Sequence, residues 1–461
     1  MTHIAEAVAT EISGGAELSR SLRSRHVSMI AIGGIIGAGL FVGSSTAIGT
    51  VGPAAVASYA IAGFIILLVM RMLSEMAIAV GGARTFPEFS RVGLGHLAGF
   101  ISGWLYWYFW VVVVAIEAIA GAKIISEWFP MLPVWVVGVA LMAILTAVNL
   151  LSARSYGEFE FWFSSIKVAA IVVFILVAGA YALGFTSATG QTFGNLTAHG
   201  GFAPNGWGVV LAGVTATIFS MCGAEIATIA AAESEEPART ISRMTVSVTV
   251  RILVFYVLSV LLLVAVVPWN EIEPGISPFA TALERMGYGG AHVIMNAVVL
   301  VAVLSCLNSG LYVTSRALFG LAKYGDAPQW LVQVNSRKVP ARAIIVASLF
   351  SYGALAAGRL SPDTVFSFLL NSSGVTMMLL YLLVCAAQLR LRRQFEASAP
   401  EKLQIRMWLH PWGTLLAVAA LVAIMVFMGL APDLASQLWM SLLVAAGFVL
   451  AYFVFGRHRA G

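Results

Sequence analysis

Apolar stretches long enough to cross a membrane recur along the whole of this 461-residue chain, and they decide its class before any motif is read. About 20 apolar residues, coiled at roughly 1.5 Å per residue, cross a hydrocarbon core about 30 Å thick. Twelve spans are expected, over residues 27–49, 53–79, 99–125, 134–151, 159–184, 207–231, 244–267, 290–322, 341–357, 362–389, 408–430 and 436–455. With 60% hydrophobic and only 10% charged residues, the chain does not fit a soluble globular class. The expected fold class is an all-α polytopic membrane protein.

Lys and Arg are retained in cytoplasmic loops, so their distribution tests this count. With the N-terminus inside, the cytoplasmic segments hold 19 of the 26 basic residues, and the external loops hold only Arg285 and Arg359. A missed or invented span would invert the later half of that bias, so both termini are expected in the cytoplasm. The net charge of +5 follows from the same bias and does not point to nucleic acid, which calls for a concentrated basic face. Residues 1–26 carry Glu6, Glu11 and Glu17 and lack a signal-peptide core, so the first span is expected to act as an uncleaved insertion signal. Cys222, Cys306 and Cys385 stand alone in apolar spans without metal or disulfide spacing, which reads as three buried thiols.

The first span contains Gly33, Gly34, Gly37 and Gly39 within seven residues. Glycine costs about 1 kcal/mol relative to Ala in a helix interior, and in lipid every freed backbone group needs another partner. The run therefore reads as a deliberate helix break lining a cavity. In an inverted repeat of five helices plus five, the sixth span breaks at the matching place. There the chain has Phe219-Ser220-Met221-Cys222-Gly223-Ala224-Glu225; Gly223 by itself also fits simple close packing of helices.

Paired half-helices suit a zwitterion, because amides at one helix start favour a carboxylate and carbonyls at the other helix end accept from an ammonium. The amides of Ala38, Gly39 and Leu40 are the candidates for the carboxylate. The carbonyls of Ile35, Phe219 and Cys222 are the candidates for the amine.

Further motifs carry a resemblance. Arg25-His26-Val27-Ser28-Met29-Ile30, the glycine run to Phe41, Gly52-Pro53, Met70-Arg71 and Glu75-Met76 are followed in order by several others. These are Gly157-Glu158-Phe159-Glu160-Phe161-Trp162, Ala231-Ala232-Glu233-Ser234, Pro268-Trp269, Asn308-Ser309 with Ser315-Arg316, and Gly325-Asp326-Ala327-Pro328. Together they resemble the amino acid transporter family of the amino acid, polyamine and organocation superfamily, over essentially the whole chain. Leu105-Tyr106-Trp107, Gly223-Ala224-Glu225, Ser305-Cys306-Leu307-Asn308-Ser309 and Asn371-Ser372-Ser373-Gly374 are most similar to the bacterial 4-aminobutyrate permeases.

The resemblance implies a LeuT-type fold and proton-coupled uptake across the bacterial inner membrane. Residues 1–26 would be a cytoplasmic tail, 27–184 the first repeat, 207–389 the second, 408–455 helices 11 and 12, and 456–461 a second tail. Many relatives carry Thr or Ser where this chain has Ala38, so a hydroxyl that meets the carboxylate is missing and the amide remains.

Ionisable groups inside lipid cost at least about 2.5 kcal/mol and are functional candidates by default. Lys167 lies eight residues into its span from Phe159, about 12 Å deep. Snorkelling is one reading. In relatives the matching lysine takes the place of a sodium ion between the first, fifth and eighth spans, and on that resemblance Lys167 is the expected proton-coupling residue. For Glu117 two readings stand side by side, a pocket group near the amine or a partner for a buried cation. Glu225 is assigned to gating by the resemblance. Arg71 and Glu75, four apart, read as a pair on one helix face. Asn308 and Tyr312, one turn apart, are possible pocket residues, and the aromatic run Trp104 to Trp110 reads as packing.

The expected function is a secondary transporter importing 4-aminobutyrate or a close amino acid with protons by alternating access. Another neutral amino acid is the alternative within the class, and a receptor without net flux the alternative outside it. No nucleophile, base and metal constellation suggests an enzyme. No cofactor is expected beyond the proton gradient, and the expected partners are a small amino acid and membrane lipid.

Overall fold

The structure is a computed structural model that describes residues 35–81, 85–151, 156–188, 190–223, 225, 237–335, 339–359 and 362–456. Gly33, Gly34 and the start of the expected first span lie outside the described residues, as do the 1–26 tail, Ala224, residues 226–236 and all of the C-terminal tail but Gly456.

All regular structure among the described residues is helical. The order is α1 Ala38–Phe41, α2 Gly43–Val51, α3 Ala55–Val80, α4 Phe86–Leu94, α5 His96–Trp128, α6 Val134–Leu151, α7 Tyr156–Ala182 and α8 Asn195–Ala198. There follow α9 Trp207–Ser220, α10 Pro237–Val266, α11 Pro278–Arg285, α12 Ala291–Lys323, α13 Ala341–Gly358, α14 Pro362–Ser398, α15 Trp412–Leu430 and α16 Pro432–Ala451. Seven described helices are long and apolar enough to cross a membrane, and five shorter apolar helices accompany them, Ala38–Val51 and Trp207–Ser220 among these.

Helices α4 and α11 are amphipathic and too short to register as apolar spans along the sequence. A capping box starts α4: Thr85 and Glu88 satisfy each other's backbone amides, and Pro87 sits in the first turn, where its missing N–H costs nothing. Gly95, at φ +100, then reverses the chain into α5.

At 33 residues, α5 is about 50 Å long and overshoots the hydrocarbon core. It packs against α4, α6, α12, α13 and α14 and is the buried axis of the molecule. By contrast α7, α15 and α16 are mostly uncovered, with Leu176, Leu430, Trp439 and Leu443 among their exposed side chains, as suits a lipid-facing surface. Helix contacts run through glycines. A Cβ on Gly374 of α14 would lie 2.1 Å from the Thr215 carbonyl oxygen of α9, so only glycine permits that approach.

One expected pair is corrected. Glu75 does not pair with Arg71 one turn away. Its Oε2 accepts from Arg392 Nη1 on α14 and from the Met407 amide, and its Oε1 accepts from Gln388 at 2.7 Å. Arg71 instead donates to the Arg406 carbonyl at 2.9 Å and stacks over Trp408. Glu75 is buried on the α14 side of α3, and a buried carboxylate needs several donors, which a neighbouring helix and loop supply better than a single arginine along its own helix.

Candidate functional site

Ile35, Ile36 and Gly37, just before α1, are not helical and leave backbone groups open to other partners. The Ala38 amide donates to the Glu117 carboxylate of α5, 3.2 Å from each oxygen. Leu40 and Phe41 amides both turn back to the Gly37 carbonyl at 3.2 Å. Glycine is required on both sides of this bend. A Cβ at Gly37 would lie 2.5 Å from Cys306 Sγ and 2.8 Å from Glu117 Oε1, and one at Gly39 would lie 2.7 Å from the Ser220 Cα.

The second break faces the first. Helix α9 ends at Ser220, and Met221, Cys222 and Gly223 form a turn in which Gly223 adopts φ +105, a conformation that side chains disfavour. The Ser220 hydroxyl donates to the Gly39 carbonyl at 2.7 Å. Tyr256 of α10 places its hydroxyl 2.9 Å from the Ile35 carbonyl and 2.7 Å from the Ser220 carbonyl, so one phenol serves both breaks.

A narrow cavity lies between them. Its walls are Ile35, Gly37 and Gly39 from the first break, Phe219, Ser220 and Cys222 from the second, Phe109, Trp110, Val113 and Glu117 from α5, and Cys306 from α12. Of the expected substrate residues, Ile35, Gly39, Glu117, Phe219 and Cys222 meet here. Ala38 and Leu40 are fully buried and do not line it: the Ala38 amide is on Glu117 and the Leu40 amide on the Gly37 carbonyl. The Phe219 carbonyl accepts from the Cys222 amide at 3.0 Å within the turn.

Lys167 is fully buried behind this wall. Its Nζ donates to Ser305 Oγ at 3.0 Å and approaches Cys306 Sγ at 3.8 Å, while Cys306 in turn donates to the Ile36 carbonyl at 3.5 Å. The ammonium thus joins α7 and α12 to the first break, and its charge reaches Glu117. Glu225 is buried just beyond the second break, with Oε2 accepting from the Gly223 amide at 2.8 Å.

Asn308 and Tyr312 stand away from the cavity. Asn308 accepts from Asn149 of α6 at 2.7 Å, and the Tyr312 ring lies under the Arg316 guanidinium. Neither lines the cavity, whereas Cys306 of the same helix does, and Ser305 beside it holds Lys167.

Sequence reasoning missed several members of the site. Tyr256 carried no motif, since its role depends on α10 lying across both breaks. Trp110 was grouped with packing aromatics, yet it lines the cavity while Trp104 stacks on Phe448 of α16. Cys306 is in the wall as well as the expected Cys222, which its isolated apolar position did not suggest. Among the described residues no three His, Cys, Asp or Glu side chains gather as metal ligands.

Chemically, the arrangement offers a small solute backbone amides and carbonyls from two broken helices, one buried carboxylate, and aromatic walls. The model of the amino acid permease family matches residues 26–458. The chain is 44% identical to the gamma-aminobutyric acid permease of Bacillus subtilis (strain 168), covering 96% of this chain and 94% of that one. It is 45% identical to the probable GABA permease of Pseudomonas aeruginosa over 91% of this chain and 88% of the relative. It is 35% identical to the aromatic amino acid transport protein AroP of Salmonella typhi over 92% and 93%. A buried site between the start of α1 and the end of α9, among helices of membrane-crossing length, is thus found in a chain that belongs to the amino acid permease family of membrane transporters.

Proposed function

We propose that this permease imports 4-aminobutyrate together with protons across the bacterial inner membrane. The observation that carries the reading is the cavity itself, where two facing helix breaks and Glu117 provide for both ends of a zwitterion and the relatives of 44% and 45% identity bear the 4-aminobutyrate name. The seven long and five shorter apolar helices are read as twelve spans in a LeuT-type five-plus-five inverted repeat, with both termini cytoplasmic as the Lys and Arg bias requires.

The carboxylate of the solute is assigned to the amides of α1, a place that Glu117 fills in this structure by accepting from Ala38. Solute binding then displaces the Glu117 side chain toward Lys167, whose charge already acts on it. Lys167 is assigned the coupling proton, because a buried ammonium held against Ser305 and Cys306 links proton release to the position of the first break. Glu225, tied to the Gly223 amide, is assigned to support and gating of the second break. Alternating access follows by rocking of the repeats about the cavity.

A second reading, uptake of an aromatic or other neutral amino acid, draws on the walls of Phe109, Trp110 and Phe219 and on the AroP relative. Competition for labelled 4-aminobutyrate uptake by a panel of amino acids, with and without a protonophore and with and without sodium, tests both. Saturable uptake inhibited best by 4-aminobutyrate, abolished by the protonophore and indifferent to sodium is expected. An α-amino acid as best competitor overturns the substrate, and sodium dependence overturns the coupling.

A further inference from the structure

At the end of the molecule that the Lys and Arg bias puts in the cytoplasm, one arginine has donors that the protein leaves open. Arg71 is 16 residues along α3, about 24 Å from its start, and so near the inner edge of a hydrocarbon core about 30 Å thick. Its Nε donates to the Arg406 carbonyl at 2.9 Å, and its guanidinium lies over the Trp408 ring, 5.1 Å from the centroid. Neither Nη has a hydrogen-bond acceptor among the described residues. Glu75, one turn along α3, is already occupied by Arg392, Gln388 and the Met407 amide.

The loop beside that guanidinium is turned outward. Leu409 has φ +50, alone among the described non-glycine residues in that region, and its side chain is 81% exposed. Trp408 before it is also exposed, and Trp412, 74% exposed, starts α15. The backbone is nevertheless held in place. The Leu409 carbonyl accepts from the Gly413 amide at 2.9 Å, and a Cβ on Gly413 would lie 2.6 Å from the Trp408 carbonyl oxygen. Backbone strain of this kind collects at ligand clamps, and tryptophans beside an outward apolar side chain suit the headgroup level of a bilayer.

Charge decides the kind of lipid. Residues 390–411 hold five basic and two acidic side chains, and one of the acids, Glu396, is taken up by Arg392 at 2.7 Å. Arg390, Arg393, Lys402 and Arg406 are exposed. A zwitterionic headgroup brings its own ammonium into this positive field, whereas an anionic one does not, and the cytoplasmic leaflet supplies anionic lipid. We propose that the open Nη donors of Arg71, stacked on Trp408, bind the phosphate of one anionic phospholipid of the inner leaflet, with its chains along Leu409 and Trp412. A stacked, planar guanidinium offers a phosphate a ready fork of donors. The Met407 amide of the same loop already holds Glu75 of α3, so the lipid ties α3 to the loop between α14 and α15 a second time, from the membrane side. The site does not depend on which solute the chain carries.

The test measures lipid binding to the purified full chain in neutral detergent by native mass spectrometry. The probes are phosphatidylglycerol, phosphatidylcholine with the same chains, and inorganic phosphate as a competitor, in wild type, Arg71→Gln, Trp408→Leu and Lys323→Gln. Lys323, exposed at the end of α12, makes the same change of charge elsewhere on the cytoplasmic side. Wild type is expected to prefer phosphatidylglycerol, and Arg71→Gln to bind it about tenfold more weakly, as loss of a charged hydrogen-bond donor implies. Lys323→Gln is expected to change its binding less than about twofold, because a distant exposed charge is screened. Added phosphatidylglycerol is expected to raise the melting temperature of wild type and not of Arg71→Gln. Equal affinity for the two lipids, or equal losses in Arg71→Gln and Lys323→Gln, would overturn the site. Displacement of phosphatidylglycerol by inorganic phosphate would show a site for the free ion and overturn the lipid. If Arg71→Gln does not fold, Trp408→Leu decides, since it removes the stacking ring and keeps every charge. An unchanged preference for phosphatidylglycerol in that variant would then overturn the proposal.

Discussion

The Tyr256 hydroxyl lies 2.9 Å from the Ile35 carbonyl oxygen and 2.7 Å from the Ser220 carbonyl oxygen, so a single phenol spans the approach to α1 and the end of α9. A hydroxyl carries one proton and donates to one acceptor at a time. The bond can therefore pass between the breaks while the ring stays in place. Tyr256→Phe removes it and leaves buried carbonyls short of a donor, which costs about 1–3 kcal/mol. The expected outcome is a lower melting temperature in detergent together with slower uptake, and unchanged values for both would show that the bridge has no role.

Close helix approach makes a second prediction. Gly374→Ala puts a methyl 2.1 Å from the Thr215 carbonyl oxygen, a backbone atom with nowhere to move, so α9 and α14 must separate. Gly320→Ala on α12 meets nothing within 4 Å. Size-exclusion profiles of the two variants are expected to differ sharply, with Gly374→Ala poorly folded and Gly320→Ala like wild type.

The Glu75–Arg392 pair joins α3 to α14, and both side chains are at least 94% buried. Removing one partner of such a pair leaves an uncompensated charge and costs about 3–5 kcal/mol. Arg392→Met is expected to lower thermal stability strongly. The double variant Glu75→Met with Arg392→Met is expected to recover part of it, and a double variant worse than the single would contradict the ion-pair account.

His410 connects this network to pH. Its Nδ1 lies 3.4 Å from Gln388 Nε2, and burial, then the positive charge of Arg392, holds its imidazole below the ordinary value for histidine, against the opposing pull of Glu75 and Glu396. A base whose folded value is depressed binds fewer protons folded than unfolded, so stability is full above about pH 6.5 and falls as pH drops below it. Melting temperatures measured from pH 7.5 down to 5.5 are expected to fall less in His410→Gln than in wild type. Parallel curves would remove His410 from the account.

Coupling makes the last prediction. Lys167→Ala is expected to abolish proton-driven accumulation while counterflow of labelled solute persists, since the cavity walls do not include the lysine. Undiminished accumulation would take the coupling role from Lys167.

Much of this molecule was legible along the chain. Membrane-length apolar runs determine helices wherever they occur, because lipid offers backbone groups no partner but each other. Gly223 marks a break for a local reason, its positive φ, whereas Gly37 and Gly39 are required because a side chain there would collide with Cys306 or Ser220 of other helices. The rest depended on which helices meet. Ala38 and Glu117 are 79 positions apart and Ile35 and Tyr256 are 221 apart, and nothing near either residue names its partner. The same holds for Glu75, which passes over the arginine one turn away for one 317 positions on. A helix break can be read from the residues that make it. The groups that satisfy the exposed backbone come from other helices, and their identity is decided only when those helices pack.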